Sequence, residues 1–248
     1  MKNFIKIGLI LLLTNNLMAI DVKIKKVDDK FCKEYTEDDS TQKSTFCMEA
    51  NLEYPIVSSD NVTFEKNINY TIAKYRSKKV NTKKYVLDLI KKGYGERMGH
   101  EDNMRIVLLL ATKKVYSLAI YQQAYSGGAH GGHSVEIVNY DIVSNKKLTF
   151  DDLFLDFGRK EFIKIIEKEY RRQNNLKPNE GISKLDWFDN KFVLAKNIGI
   201  TKKGLYLEYN PYEIKPYSAG ETKVYIPYKL LIRFINPDTY LYPFVENL

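Results

Sequence analysis

Cysteine, histidine and tryptophan are all scarce in this chain, whose 248 residues carry two, three and one of them. A structural zinc site wants about four ligands, mostly Cys and His, and Cys32 and Cys47 have no further Cys or His close by in sequence, which argues against a metal role for them. Long apolar runs are missing too. Ile7 to Leu13, ended by Thr14-Asn15-Asn16, falls well short of the ~20 residues that cross a bilayer as a helix. There is no internal repeat, no low-complexity linker and no nucleic-acid-binding motif, so neither a repeat architecture nor a nucleic-acid partner is expected.

What is present begins with a leader. Lys2 and Lys6 precede the short apolar run, and Leu17-Met18-Ala19 ends in a small residue, which reads as a secretory signal over 1–19 with the mature chain starting near Ile20. A periplasmic or secreted location follows, with no membrane span after cleavage. The formal charge of +8 falls to +6 once Lys2 and Lys6 are removed, and the excess lies in lysine doublets at turns and helix ends, as on a solvated surface. Export also implies an oxidising compartment. Cys32 and Cys47, 15 apart in strand-like stretches around Lys30–Thr36 and Ser44–Tyr54, are expected to form a disulfide across a hairpin.

Hydrophobic residues make up 44% of the chain, enough for one sizeable core, and the 19 tyrosines suit half-buried sheets and wet binding surfaces. Phe64, Ile68, Ile72 and Tyr75 recur at helical spacing after a cap at Ser59 or Asp60, and a second helix is predicted over Thr82–Lys92, closed by a loop from Gly93 to Asn103. Met104–Thr112, Val115–Tyr125 and Ser134–Val143 read as three strands of a meander. A helix over Arg159–Asn174 follows, then a hairpin of Phe192–Thr201 with Leu205–Asn210, and a last strand over Lys223–Tyr228. The fold class is α+β, mainly antiparallel sheets of hairpins and a meander with two to three packed helices. One domain, 20–248, is expected, with subregions 20–100 and 101–248.

Two stretches carry candidate chemistry. In Tyr121–Asp141, the pairs Gly127-Gly128 and Gly131-Gly132 bracket His130, and His133 follows. Glycine there implies positive φ or close backbone approach. His130, His133 and Glu136 lack the helical spacing of the familiar two-histidine metallohydrolase pattern, and neither Ser126 nor Ser134 sits in a G-x-S-x-G elbow. The second stretch, Pro211–Gly220 with its approach, gathers Tyr206, Tyr209, Tyr212, Glu213 and Tyr217 between stiffening prolines. It reads either as a rigid loop with satisfied hydroxyls or as an aromatic and acidic surface for a saccharide or protein. Asp151-Asp152 ahead of an apolar helix reads as a capping feature.

Together these stretches resemble a known family. YSGGAHG at Tyr125–Gly131, NYD at Asn139–Asp141, LTFDDLF at Leu148–Phe154, GLYLEYNPYEIKPYSAG at Gly204–Gly220 and IPY at Ile226–Tyr228 resemble the RsiV-like extracytoplasmic C-terminal domain family, a domain of unknown function. It is also similar to the N-terminal, non-catalytic region of the peptidoglycan deacetylase PdaC. The resemblance covers about Phe31 to Phe234 and implies an extracytoplasmic sensor or binding domain; the RsiV member recognises lysozyme. The sigma-binding region, an internal membrane span and the deacetylase catalytic domain have no counterpart here, and Lys215 stands where the family usually has a small residue. The expected function is therefore non-enzymatic binding of a cell-envelope ligand, a peptidoglycan-type saccharide or a lysozyme-like protein, with no cofactor. Tyr125, Gly128, His130, Tyr209, Tyr212, Glu213 and Tyr217 are the expected ligand-binding residues, acting as one surface. The rival is a metal-assisted hydrolase of cell-wall polysaccharide working through His130 and His133.

Overall fold

The computed structural model describes residues 19–36, 43–93, 99–155, 159–235, 241 and 244. Residues 1–18 of the expected 1–19 signal, residues 37–42, and residues 94–98 of the loop expected over Gly93–Asn103 lie outside the described residues. Two compact units divide the chain, one comprising residues up to Val107 with Ile120–Ser134, the other Leu108–Ala119 with Val135–Leu248.

The first unit starts with β1 (Ile20–Thr36) and β2 (Lys43–Ser59), antiparallel in unbroken register from Ile20 opposite Ser59 to Thr36 opposite Lys43. Cys32 faces Cys47 and the two form a disulfide. From Phe46 to Tyr54 β2 alternates as a half-buried strand does, burying Phe46, Met48, Ala50, Leu52 and Tyr54, before the buried side changes at Pro55 and Val57. Helices α1 (Val62–Arg76) and α2 (Thr82–Lys91) follow, and β3 (His100–Ala111) then pairs parallel to β2, from Met48 opposite His100 to Glu53 opposite Arg105. Parallel neighbours need a crossover of a dozen or so residues, and the two helices supply it. The stripe on α1 is the one its periodicity predicts: Phe64, Ile68, Ile72 and Tyr75 are buried. Its cap is Asn61, whose side chain accepts the Phe64 N–H at 3.0 Å, while the expected Ser59 supports Asn61 by accepting its N–H at 3.1 Å. Asn81 caps α2 in the same way on Lys84. Val86 of α2 packs on Phe46 and Met48.

β4 (Val115–Tyr125) and β5 (Gly132–Asp141) complete a five-stranded sheet in the order β1-β2-β3-β4-β5, so the expected meander is present. In the second unit, α3 (Arg159–Gln173) buries Phe162, Ile166 and Tyr170. A three-stranded antiparallel sheet follows, β6 (Asn197–Ile200), β7 (Gly204–Tyr209) and β8 (Thr222–Pro227). The predicted strand from Phe192 shortens to four residues because Phe192 leaves the extended course to stack on Trp187, with ring centres 5.3 Å apart. Trp187 in turn donates its ring N–H to the Tyr170 hydroxyl at 3.0 Å. The architecture is α+β, mostly antiparallel, with one mixed sheet.

Three asparagine side chains join β5 to the smaller sheet. Asn139 donates to the Ile198 carbonyl at 2.7 Å and accepts the Ile200 N–H at 3.1 Å. Asn197 accepts the Ile137 N–H at 3.0 Å, and Asn210 makes two bonds to Val135. An amide side chain offers one donor and one acceptor face, as a peptide does, so these residues satisfy strand groups that an edge leaves open.

Candidate functional site

The Gly-His connection belongs to the first unit and joins β4 to β5. Gly127 and Gly128 sit at φ 90° and 95°, a region that side chains rarely enter. At Gly131 the demand is for space: a Cβ there would lie 2.8 Å from the Ala124 carbonyl oxygen. The Tyr125 hydroxyl donates to the Gly128 carbonyl at 3.0 Å and holds the turn closed. His130 is exposed, and its Nδ1 lies 2.8 Å from the Gly131 carbonyl oxygen. A carbonyl only accepts, so Nδ1 carries the proton in this contact. His133 is half-buried, and Glu136 of the second unit pairs with Lys147 at 3.4 Å. Among the described residues, no group of three or more His, Cys, Asp or Glu side chains is placed to hold a metal ion. His100, the third histidine, is 5% exposed; its Nδ1 lies 2.9 Å from the Tyr85 hydroxyl and its ring meets Phe46 edge-on.

In the second unit, the segment after β7 opens with a tight turn. The Glu213 N–H donates to the Asn210 carbonyl at 3.1 Å, Pro211 occupies the second position and Tyr212 the third, with φ 63°. Proline followed by a left-handed residue is the type II pattern, where glycine or asparagine ordinarily fills the third position. A left-handed conformation costs an L-residue roughly 1–2 kcal/mol. Tyr212 bears that cost while its side chain stands 57% exposed. Its ring runs beside that of Tyr217, with centres 6.1 Å apart and planes at 31°.

The turn is braced from beneath. Glu213 accepts the Asn210 N–H at 2.9 Å through one carboxylate oxygen and the Lys196 N–H at 3.4 Å through the other. Ile214 is buried in the core, and its carbonyl accepts the Phe188 N–H at 2.9 Å. Phe188 itself is 58% exposed, so a second outward aromatic is anchored two residues beyond Tyr212. The Trp187-Phe188 doublet was a visible signal, because adjacent aromatics on an extended course cannot both face one core. Half-burial lowers the Lys215 ammonium pKa, partly offset by the charge of Asp186.

The expected site residues thus divide. Tyr212 and Tyr217 form an aromatic face, and Glu213 sets the turn beneath it. Tyr209 lies in the core, 3% exposed, with its hydroxyl donating to the Val193 carbonyl at 2.6 Å and its pKa pushed up by burial. Tyr125, Gly128 and His130 build the Gly-His connection of the first unit. Asp152 closes the turn at Thr149. Its carboxylate accepts the Thr149 N–H and hydroxyl at 2.8 and 2.6 Å, and these bonds, aided by Lys146, hold its pKa down at about 2.

A two-sheet α+β protein bearing a braced aromatic turn is the class that these features define. Residues 41–133 match the family described as Deacetylase PdaC, and residues 151–229 match the Protein of unknown function (DUF3298) family. The chain is thus similar to the PdaC family over its first part and to the DUF3298 family over its second. Two solved structures share the fold. A DUF3298 family member from Bacteroides fragilis is 19% identical with a TM-score of 0.57, the match covering 86% of this chain and 94% of that one. A DUF3298 family protein from Pseudomonas aeruginosa is 17% identical with a TM-score of 0.55, covering 86% and 95%. No curated protein matches the chain. The Gly-His connection ends the PdaC match, and the Tyr212 turn lies inside the DUF3298 match.

Proposed function

We propose that this is an extracytoplasmic, non-catalytic binding protein for a cell-envelope ligand, and that the ligand is a peptidoglycan-type saccharide. One observation carries the reading: Tyr212 is held in an unfavourable left-handed conformation with its ring in solvent. Strain at an exposed aromatic does nothing for the core, and strained residues gather where a ligand is met. Tyr217 beside it widens the face, and tyrosine offers a flat apolar ring with a polar tip at little cost in side-chain entropy. Sugar rings present C–H faces and hydroxyl edges that suit such a platform. The Cys32–Cys47 disulfide and the match to a deacetylase family support the extracytoplasmic and cell-wall parts of the reading. Among the described residues, no helix is long and apolar enough to cross a membrane.

Calorimetric titration with soluble peptidoglycan fragments tests it, with lysozyme as the alternative ligand. Tyr212→Ala and Tyr217→Ala are each expected to weaken fragment binding about tenfold or more, on the scale of an aromatic hot spot. Binding unchanged in both variants would remove the site. Fragment binding lost on His130→Ala alone would move it to the Gly-His connection. Binding of lysozyme in place of the fragments would change the ligand class.

A further inference from the structure

The two edges of the five-stranded sheet are treated differently. β5 is covered by asparagine side chains, whereas no described strand pairs with the outer side of β1. β1 runs for 17 residues, and exposed edges of that length template pairing with another chain. Lysine on an edge ordinarily discourages such pairing, but the order of charges here is self-complementary.

We infer that the β1 edge is a homodimer interface, formed by antiparallel pairing of β1 with β1 of a second copy about a two-fold axis at Val27. A two-fold perpendicular to the sheet keeps each residue on its own face, so only same-parity residues come opposite one another. Centred on Val27, the segment Lys25-Lys26-Val27-Asp28-Asp29 places Lys26 opposite Asp28 and Lys25 opposite Asp29. Further out, Asp21 falls opposite Lys33, and no two like charges meet. Neighbouring registers fail. Centring on Lys26 sets that lysine against itself; centring on Asp28 sets Asp28 against itself, Lys26 against Lys30 and Lys23 against Lys33.

Opposite charges across a strand pair attract and like charges repel, so the edge is attractive in one register and repulsive in its neighbours. Main-chain hydrogen bonds along the paired length supply the affinity, and the charges select the register. Lys26 already lies 2.6 Å from Glu53 on β2, and Lys30 pairs with Glu49 beside it. The second copy's Asp28 would extend that row of alternating charge across the new junction.

Sedimentation velocity on the purified protein tests this, using Lys26→Asp and Asp28→Lys with circular dichroism as the check on folding. Wild type is expected to dimerise with rising concentration. Each variant alone is expected to remain monomeric, because residues 26 and 28 then carry like charges across the two-fold. An equimolar mixture of the two variants is expected to dimerise again, since both pairs become opposite in the heterodimer. Wild type that stays monomeric at its solubility limit overturns the proposal. So does a dimer that both variants retain, or a mixture that fails to restore association between two folded variants.

Discussion

Asn210 and Val135 exchange two hydrogen bonds: the Val135 N–H donates to Asn210 Oδ1 at 2.7 Å, and Asn210 Nδ2 donates to the Val135 carbonyl at 3.1 Å. The side-chain amide stands where the peptide of a neighbouring strand would. Because the same asparagine begins the turn that presents Tyr212, the anchoring of β5 and the shape of the candidate surface depend on one residue.

Asn210→Ala removes both bonds and leaves a partly buried N–H and carbonyl without them, a loss of about 1–3 kcal/mol. Asn210→Asp is expected to cost more, since a carboxylate cannot donate to the Val135 carbonyl and repels it. Urea unfolding of the two variants checks the order. An Asn210→Asp protein as stable as wild type would show that the pairing is not made in solution.

Asp152 governs part of the acid limb of stability. Its folded pKa of about 2 lies below the usual carboxylate value, about 3.9 in an unfolded chain. The contribution is therefore fully present above about pH 4 and is lost as the pH falls through about 2. Asp152→Asn is expected to lower stability at neutral pH and to flatten the decline between about pH 4 and 2. Denaturant midpoints measured across that range decide it; an unaltered acid limb would contradict the assignment.

The Cys32–Cys47 disulfide closes a loop with a sequence separation of 15. Chain entropy assigns such a cross-link about 3 kcal/mol. Cys32→Ser with Cys47→Ser is expected to lower the unfolding free energy by about that amount, with the β1–β2 amides near the loop losing most hydrogen-exchange protection. Equal stability in oxidised and doubly substituted protein would show that the hairpin is fixed by its strand pairing alone.

Local periodicity made much of this fold legible. The α1 stripe of Phe64, Ile68, Ile72 and Tyr75 and the three meander strands follow from spacing of apolar residues alone. The cap was misplaced by one or two residues because Ser59, Asp60 and Asn61 are all competent, and the choice depends on where β2 releases the chain. The parallel pairing of β2 with β3 left no local trace, because the paired segment His100–Arg105 is largely polar and lacks the continuous apolar run by which parallel strands are usually read. In the candidate site, Tyr209 and Tyr212 looked alike from the sequence. Alternation along β7 places Tyr209 with Leu205 and Leu207 in the core, whereas the turn after Pro211 turns Tyr212 outward. That difference lies in a single dihedral angle, which residue type alone does not reveal.

The strained tyrosine is best tested by Tyr212→Gly, with unfolding free energy and fragment affinity measured on the same preparation. Glycine relieves the left-handed strain, so stability is expected to rise by about 1 kcal/mol, while affinity for the peptidoglycan fragment falls about tenfold. A variant that is less stable yet binds as wild type does would mean that Tyr212 is kept for the fold, and would contradict the proposed binding surface.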